Sequence, residues 1–396
     1  CAARYGEPFT LRTQWADAPV VMVWDPEAVR RVFTAPPGAL RAGASSAILE
    51  PFAGPASILV LDGAEHLRQR RLMLPPFHGD RLDAWRPVVA AEAAAEVERW
   101  PPGRPVTALP RMRALTLRVI MAAVFGGPQP DLQEEIRRAL DMTHSLPRLV
   151  AMAVLRRDAG PRSPWGAFRR AVARVDARLL EVIRARRAGG PGGGILDDLL
   201  AATDEDGRPA TDAEVRDQVV TLLAAGHETT AAALAFALER LARHPRVLDR
   251  LRAGDEAWLD ATVKEVLRVR PVLTVAARKV VAPFEVAGWT LPPGVHVAPC
   301  IHLTHRRADL YPHPAAFRPE RWLDGGAPGA YAWIPFGGGV RRCLGAAFAT
   351  LEMREVLRAV AGRWRLDPER PRAEAVRRRA VTLTPARGGR VVPRPL

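Results

Sequence analysis

The chain has 396 residues, 48% of them hydrophobic, enough to bury a sizeable core in one large domain or two smaller ones. Its formal net charge is +15, yet all 58 basic residues except Lys264 and Lys279 are arginine, they are spread without a basic block or interleaved aromatics, and asparagine is absent; this reads as GC-rich codon choice and argues against nucleic-acid binding. Three cysteines, Cys1, Cys300 and Cys343, exclude a disulfide framework and suit a reducing cytoplasm, and no run of eighteen apolar residues is present to span a membrane.

The chain opens on "CAARYGEPFTLRTQ" without an initiator Met, so residues are expected to precede it, and no secretory leader is visible. Residues 9–33 read as strand, strand, a turn at Asp25-Pro26, then helix. Residues 34–63, rich in Pro, Gly and Ala, read as a long mobile loop of the kind that carries function. Helical periodicity begins near Ala64 and recurs to about Arg187. "GGPGGG" at 189–194 reads as a surface linker between helices. Thr211-Asp212-Ala213-Glu214 is a capping box that opens a long apolar helix ended by Pro245, long enough to cross the whole molecule. A shorter helix holds "KEVLRVR" and stops at Pro271. Residues 275–299 turn β-like around "LPPG", and a last long helix leads to a tail, "AVTLTPARGGRVVPRPL", that reads as a hairpin. No internal repeat is visible. The expected architecture is one domain over residues 1–396, mainly α with small β-sheets at one side.

Three stretches carry chemistry. "AGHETT" at 225–230 interrupts the apolar helix with a glycine, an acid and two alcohols. One reading is a kinked helix whose Thr hydroxyls bond back one turn; the other is a widened groove where a small ligand meets Glu228 and Thr229. Glu265 and Arg268 stand at i, i+3, either as an ordinary surface pair or, given Val263, Val266, Leu267 and Val269 around them, as a buried pair with Arg321 as a third member. "FGGGVRRCLG" at 336–345 places Cys343 among glycines before a helix, with no CxxC metal knuckle in the chain.

These residues resemble the cytochrome P-450 haem-thiolate monooxygenases over essentially the whole chain. The last stretch matches the family's F-G-x-G-x-R-x-C-x-G at Phe336, Gly337, Gly339, Arg341, Cys343 and Gly345. "AGHETT" matches the oxygen-activation motif, and Glu265–Arg268 matches E-x-x-R with Arg321 at the partner position. His66 and Arg70 look like the family's early-helix haem contact, and Arg278 sits where a propionate-binding arginine is usual.

The resemblance implies a haem b lying between the long central helix and the Cys loop, with Cys343 as its axial thiolate. It implies haem contacts from His66, Arg70, Arg278, Arg341, Phe336, Gly337 and Ala225, and roles for Thr229 and Glu228 in O2 activation and proton relay. Electrons are expected from a separate ferredoxin or flavodoxin and its NAD(P)H reductase, to a monomer. The expected reaction is insertion of one oxygen atom from O2 into a small hydrophobic substrate, of terpenoid, steroid, fatty-acid or polyketide-like class. The pocket is expected from residues 44–61, 146–155, 272–275 and 381–383 with Ala224 and Ala225. The rivals are a peroxide-using or rearranging haem-thiolate enzyme and a non-catalytic haem-binding protein.

Overall fold

The computed structural model describes residues 1–12, 18–127, 129–143, 163–189, 192–323 and 328–396. Short-range signals start the helices. Asp25 accepts from Glu27 N–H at 2.9 Å and Ala28 N–H at 3.3 Å, with Pro26 preset for the first turn of Pro26–Phe33. Thr211 Oγ1 accepts from Glu214 N–H at 3.2 Å while Glu214 Oε2 accepts from Thr211 N–H at 2.8 Å, closing the capping box.

The central helix that follows, Asp212–Leu241, has 30 residues and is about 45 Å long at 1.5 Å per residue. It packs most extensively on Ala108–Phe125 and also meets Pro164–Gly189, Glu256–Val269 and Ala346–Arg363. By length and composition it is apolar enough to cross a membrane, although no fully apolar run is present, but 78% of its apolar window is buried inside the fold. Its hydrophobicity therefore serves the core. The helix runs unbroken through residues 225–230. Gly226 packs closely on the crossing helix: a Cβ there would stand 3.3 Å from Ile120 Cδ1, a tight contact.

A five-stranded sheet runs Phe9–Leu11, Val20–Val23, His296–Pro299, Arg278–Val280, Leu40–Arg41, parallel only between Val20–Val23 and His296–Pro299. It covers a second apolar cluster of Val21, Val23, Leu40, Val280 and Val297.

Two expectations are corrected. Residues 34–63 are not one open loop. They contain strand Leu40–Arg41 and the short turns Gly43–Ser46, Ala47–Leu49 and Glu50–Ala53. Side chains of the central helix also pin the segment: Asp217 Oδ2 accepts from Ala56 N–H at 2.8 Å, Gln218 Oε1 from Ile58 N–H at 3.1 Å, and Ser57 shares a 2.7 Å bond with Thr221. The tail is not a hairpin. Thr382–Pro385 pairs with Val376–Arg379, whereas Arg390–Pro395 joins Val106–Thr107 and Trp364–Pro368 in another sheet.

Candidate active site

The Cys loop is built on glycine freedom. Gly337 and Gly339 take φ of 68° and 62°, and a Cβ on Gly339 would lie 2.0 Å from Phe33 O. Cys343 N–H donates to Phe336 O at 2.9 Å, closing the loop just before Ala346–Arg363. Cys343 lines a cleft of about 420 Å³ together with Arg70, Phe336, Arg342 and Leu344, among others. Burial pushes its pKa up; Gly345 N–H and the guanidinium groups of Arg70 and Arg342 pull the other way. Phe336 stacks edge-on against Trp333, ring centres 6.1 Å apart.

Four basic side chains gather next to this loop from three elements. His66 and Arg70 come from helix Gly63–Met73, Arg278 from its strand, and Arg341 from the loop itself. Burial, then Arg341 and Arg70, hold His66 at a pKa of about 4, so it is neutral at pH 7. Burial, then Arg341, lower Arg278 to about 10. Arg278 Nη1 donates only to backbone, to Ala277 O at 2.9 Å and Ala276 O at 3.4 Å. Arg70 and Arg278 have no carboxylate partner among the described residues. Arg341 has one, Asp62, at 2.7 Å. Buried positive charge in excess of its counterions calls for an anionic guest. The two propionates of a haem fit that surplus.

Across from the loop, the central helix is buried along most of its length but opens at Ala224, Ala225, Gly226 and Thr229. Thr229 Oγ1 donates back to Ala225 O at 2.6 Å. Both readings of this stretch thus hold in part: the back-bonded hydroxyl exists, and so does an open face. Glu228 is buried and ion-paired with Arg113 of Ala108–Phe125. Burial raises its pKa, against the pull of Arg113 and of Arg379. The next hydroxyl, Thr230, bonds Glu352 of the helix after Cys343; burial holds that carboxyl well above the usual range. Thr116 Oγ1 donates to His227 O at 3.0 Å, giving His227 a packing role.

Glu265 and Arg268 are both fully buried. Every N–H of Arg268 is used. Nε and Nη2 reach Glu265 at 2.8 and 2.7 Å, and the others reach the carbonyls of His305, Pro314 and Ala316 at 2.8–2.9 Å. Glu265 also accepts from Arg318 N–H at 2.8 Å, Arg321 Nε at 3.2 Å and Trp322 Nε1 at 3.0 Å. The surface-pair alternative is set aside, and Arg321 is indeed a third member.

A sequence model of the family described as Cytochrome P450 matches residues 1–389. The chain is a cytochrome P-450. A Mycobacterium tuberculosis protein bearing the name cytochrome P-450 135B1 is 39% identical over 405 residues, covering 99% of this chain and 85% of that protein. Another from the same organism, bearing the name cytochrome P-450 138, is 39% identical over 400 residues, covering 99% and 90%. Among solved structures, the retinoic acid-bound cyanobacterial CYP120A1 superposes with a TM-score of 0.87 at 27% identity, covering 100% of this chain and 93% of that one. The heme domain of cytochrome P-450DA gives 0.86 at 23% identity, covering 100% and 91%, a likeness of fold.

Membership makes this P-450 a haem-dependent monooxygenase, with an axial cysteine thiolate that Cys343 provides. Four contacts in the site had no signature in the sequence: Arg113 on Glu228, Glu352 on Thr230, Trp322 on Glu265, and Asp62 on Arg341. Residues 146–155, expected in the pocket, lie outside the described residues.

Proposed function

We propose that this P-450 oxidises a small, largely apolar substrate of terpenoid, steroid, fatty-acid or polyketide-like class, using electrons from a separate acidic ferredoxin or flavodoxin and its reductase. The observation that carries this reading is the open face of the central helix at Ala224, Ala225, Gly226 and Thr229 in an otherwise buried element. Apolar side chains left exposed at Ile48, Leu273 and Val381 come from the three described segments expected to border it. Leu383 N–H donates to Val272 O at 2.7 Å, tying two of those segments together. The retinoic acid held by the CYP120A1 neighbour, an isoprenoid chain ending in one carboxylate, agrees in its largely apolar character. The test is a library of such compounds, scored by the spectral shift of the haem on binding and by product formed. Binding and turnover confined to charged, water-loving compounds would overturn the reading.

Haem, when bound, supplies the iron at which O2 is activated. Within the proposal, Thr229 Oγ1 would hold a proton donor in place on the open face of the helix, and Glu228 would move protons toward it after releasing Arg113. His66, Arg70, Arg278 and Arg341 would hold the propionates, and Phe336, Gly337 and Ala225 would supply packing contacts to the ring. Thr229→Ala should leave folding and haem content intact but release more hydrogen peroxide per NADPH consumed. Glu228→Gln should slow turnover by roughly 10²–10⁴-fold, the usual contribution of a general acid–base group. Arg113→Ala leaves only Arg379 pulling against the burial of Glu228, so its pKa rises further and, for a carboxyl that donates protons, the alkaline limb of the kcat profile moves to higher pH. Product per NADPH and pH profiles for the three variants check this; wild-type coupling in Thr229→Ala and Glu228→Gln would remove the relay.

The cleft behind Cys343 presents Arg70, Arg86, Lys264, Arg342 and Arg354 against Asp83 and Asp260. Arg86 and Arg354 are engaged with acidic neighbours and Arg70 is assigned to a propionate, leaving Lys264 and Arg342 for an acidic partner. Charge reversal at Arg342 and Lys264 should raise the KM for an acidic ferredoxin about 10-fold or more and flatten its salt dependence. Haem content should not change. An unaltered KM would place the docking face elsewhere.

A further inference from the structure

One carboxylate in the haem cradle is not used by its own helix. Asp62 stands at the N-cap of Gly63–Met73, where an aspartate ordinarily accepts from first-turn N–H groups, and it makes no such bond. Its oxygens go elsewhere. Oδ1 accepts from Gly43 N–H at 2.8 Å and from Arg341 Nη2 at 2.7 Å, and Oδ2 accepts from Ala44 N–H at 3.0 Å. Gly43 makes the approach possible, since a Cβ there would lie 2.1 Å from Val60 O.

Arg341 gathers the other end of the same segment. Its Nη1 donates to Ile58 O at 2.9 Å, and its Nη2 donates also to Leu61 O. One ion pair therefore ties residues 43–44 and 58–62 to the Cys loop. Of the five guanidinium N–H groups, three are committed, leaving Nε–H and one Nη1–H to turn toward a guest. The charges close as well. Arg70, Arg278 and Arg341 are positive, His66 is neutral at pH 7, and Asp62 takes up one positive charge. The remaining surplus equals the charge of two propionates.

We propose that Asp62 is a positioning residue that fixes Arg341 for a haem propionate and, through the same ion pair, couples closure of the 43–62 segment to haem binding. The proposal rests on the reading of Arg341 as a propionate contact. Without the carboxylate, Arg341 loses the partner that sets its rotamer, and the turn at Gly43 and Ala44 loses its acceptor.

The experiment measures haem transfer from holoprotein to an apomyoglobin acceptor. Limited proteolysis within 43–62 is followed in the same samples, for wild type, Asp62→Asn, Asp62→Glu, Arg341→Lys and the double variant Asp62→Asn/Arg341→Lys. Asp62→Asn should lose haem roughly 10- to 100-fold faster, as outer-shell partners of cofactor ligands do, and should be cut faster within 43–62. Asp62→Glu should restore most of both. The double variant should be no worse than the weaker single, because both act through one pair. Asp62→Ser, an equally good helix cap, stands in if Asp62→Asn yields little holoprotein, and should show the same fast loss. Wild-type haem loss and cleavage in Asp62→Asn or Asp62→Ser, or additive effects in the double variant, would overturn the proposal. Wild-type haem retention in Arg341→Lys would overturn the reading of Arg341 on which it rests.

Discussion

Cys343→His should give a holoprotein whose ferrous–CO adduct lacks the red-shifted Soret band of a thiolate-bound haem, with monooxygenation reduced to background. The loop explains why the ligand changes while the fold does not. Its shape is set by the positive φ of Gly337 and Gly339 and by the 2.9 Å bond from Cys343 N–H to Phe336 O, none of which involves the thiol. What is lost is a charged sulfur, which donates electron density to iron and favours O–O cleavage, in exchange for a neutral nitrogen. The check is the CO difference spectrum with haem content measured in parallel. A red-shifted band in Cys343→His would show that another group is the ligand.

Removing either member of the Glu265–Arg268 pair should cost about 3–5 kcal/mol, enough that little folded holoprotein accumulates. Both side chains are fully buried, so removing Glu265 leaves Arg268 a buried charge with no counterion, and removing Arg268 leaves Glu265 with Arg321 alone, at 3.2 Å. The loss spreads beyond the pair. Arg268 holds the carbonyls of His305, Pro314 and Ala316, and its guanidinium lies 4.9 Å from the Tyr311 ring centre. Glu265 holds Arg318 N–H, Arg321 and Trp322 in the segment that leads toward the Cys loop. Either variant therefore loosens the approach to Cys343 without touching it. Arg268→Lys should also fail, because one ammonium cannot meet the carboxylate and three carbonyls in that planar arrangement. Haem content and melting temperature of purified variants check this; near-wild-type values would mean that the pair is dispensable.

What the sequence showed and what it hid divide along contact distance. The capping box at Thr211, the turn at Asp25-Pro26 and the Cys loop were legible because each is a local pattern with a local cause. Glu228 and Thr229 stood out as polar groups in an apolar helix. Their surroundings did not: Arg113 lies 115 residues from Glu228, and Asp62 lies 279 residues from Arg341, with no periodicity to announce either. The segment 34–63 reads as open loop because its anchors, Asp217, Gln218 and Thr221, belong to a helix far along the chain. The tail shows the same limit. Two strands close in sequence suggest a hairpin, yet Arg390–Pro395 pairs with Val106–Thr107 and Trp364–Pro368, both distant in sequence. Gly226 misleads in another way, since a helix-weakening residue sits in an unbroken helix, packed closely on Ile120.

The most direct test of the account is turnover of one library hit under ¹⁸O2, with NADPH, a ferredoxin and its reductase, followed by mass spectrometry of the product. The account predicts one ¹⁸O atom per product molecule, no product without the ferredoxin, and none from the Cys343→Ala protein. Product carrying no ¹⁸O, or formed equally well from hydrogen peroxide in the absence of O2, would contradict it.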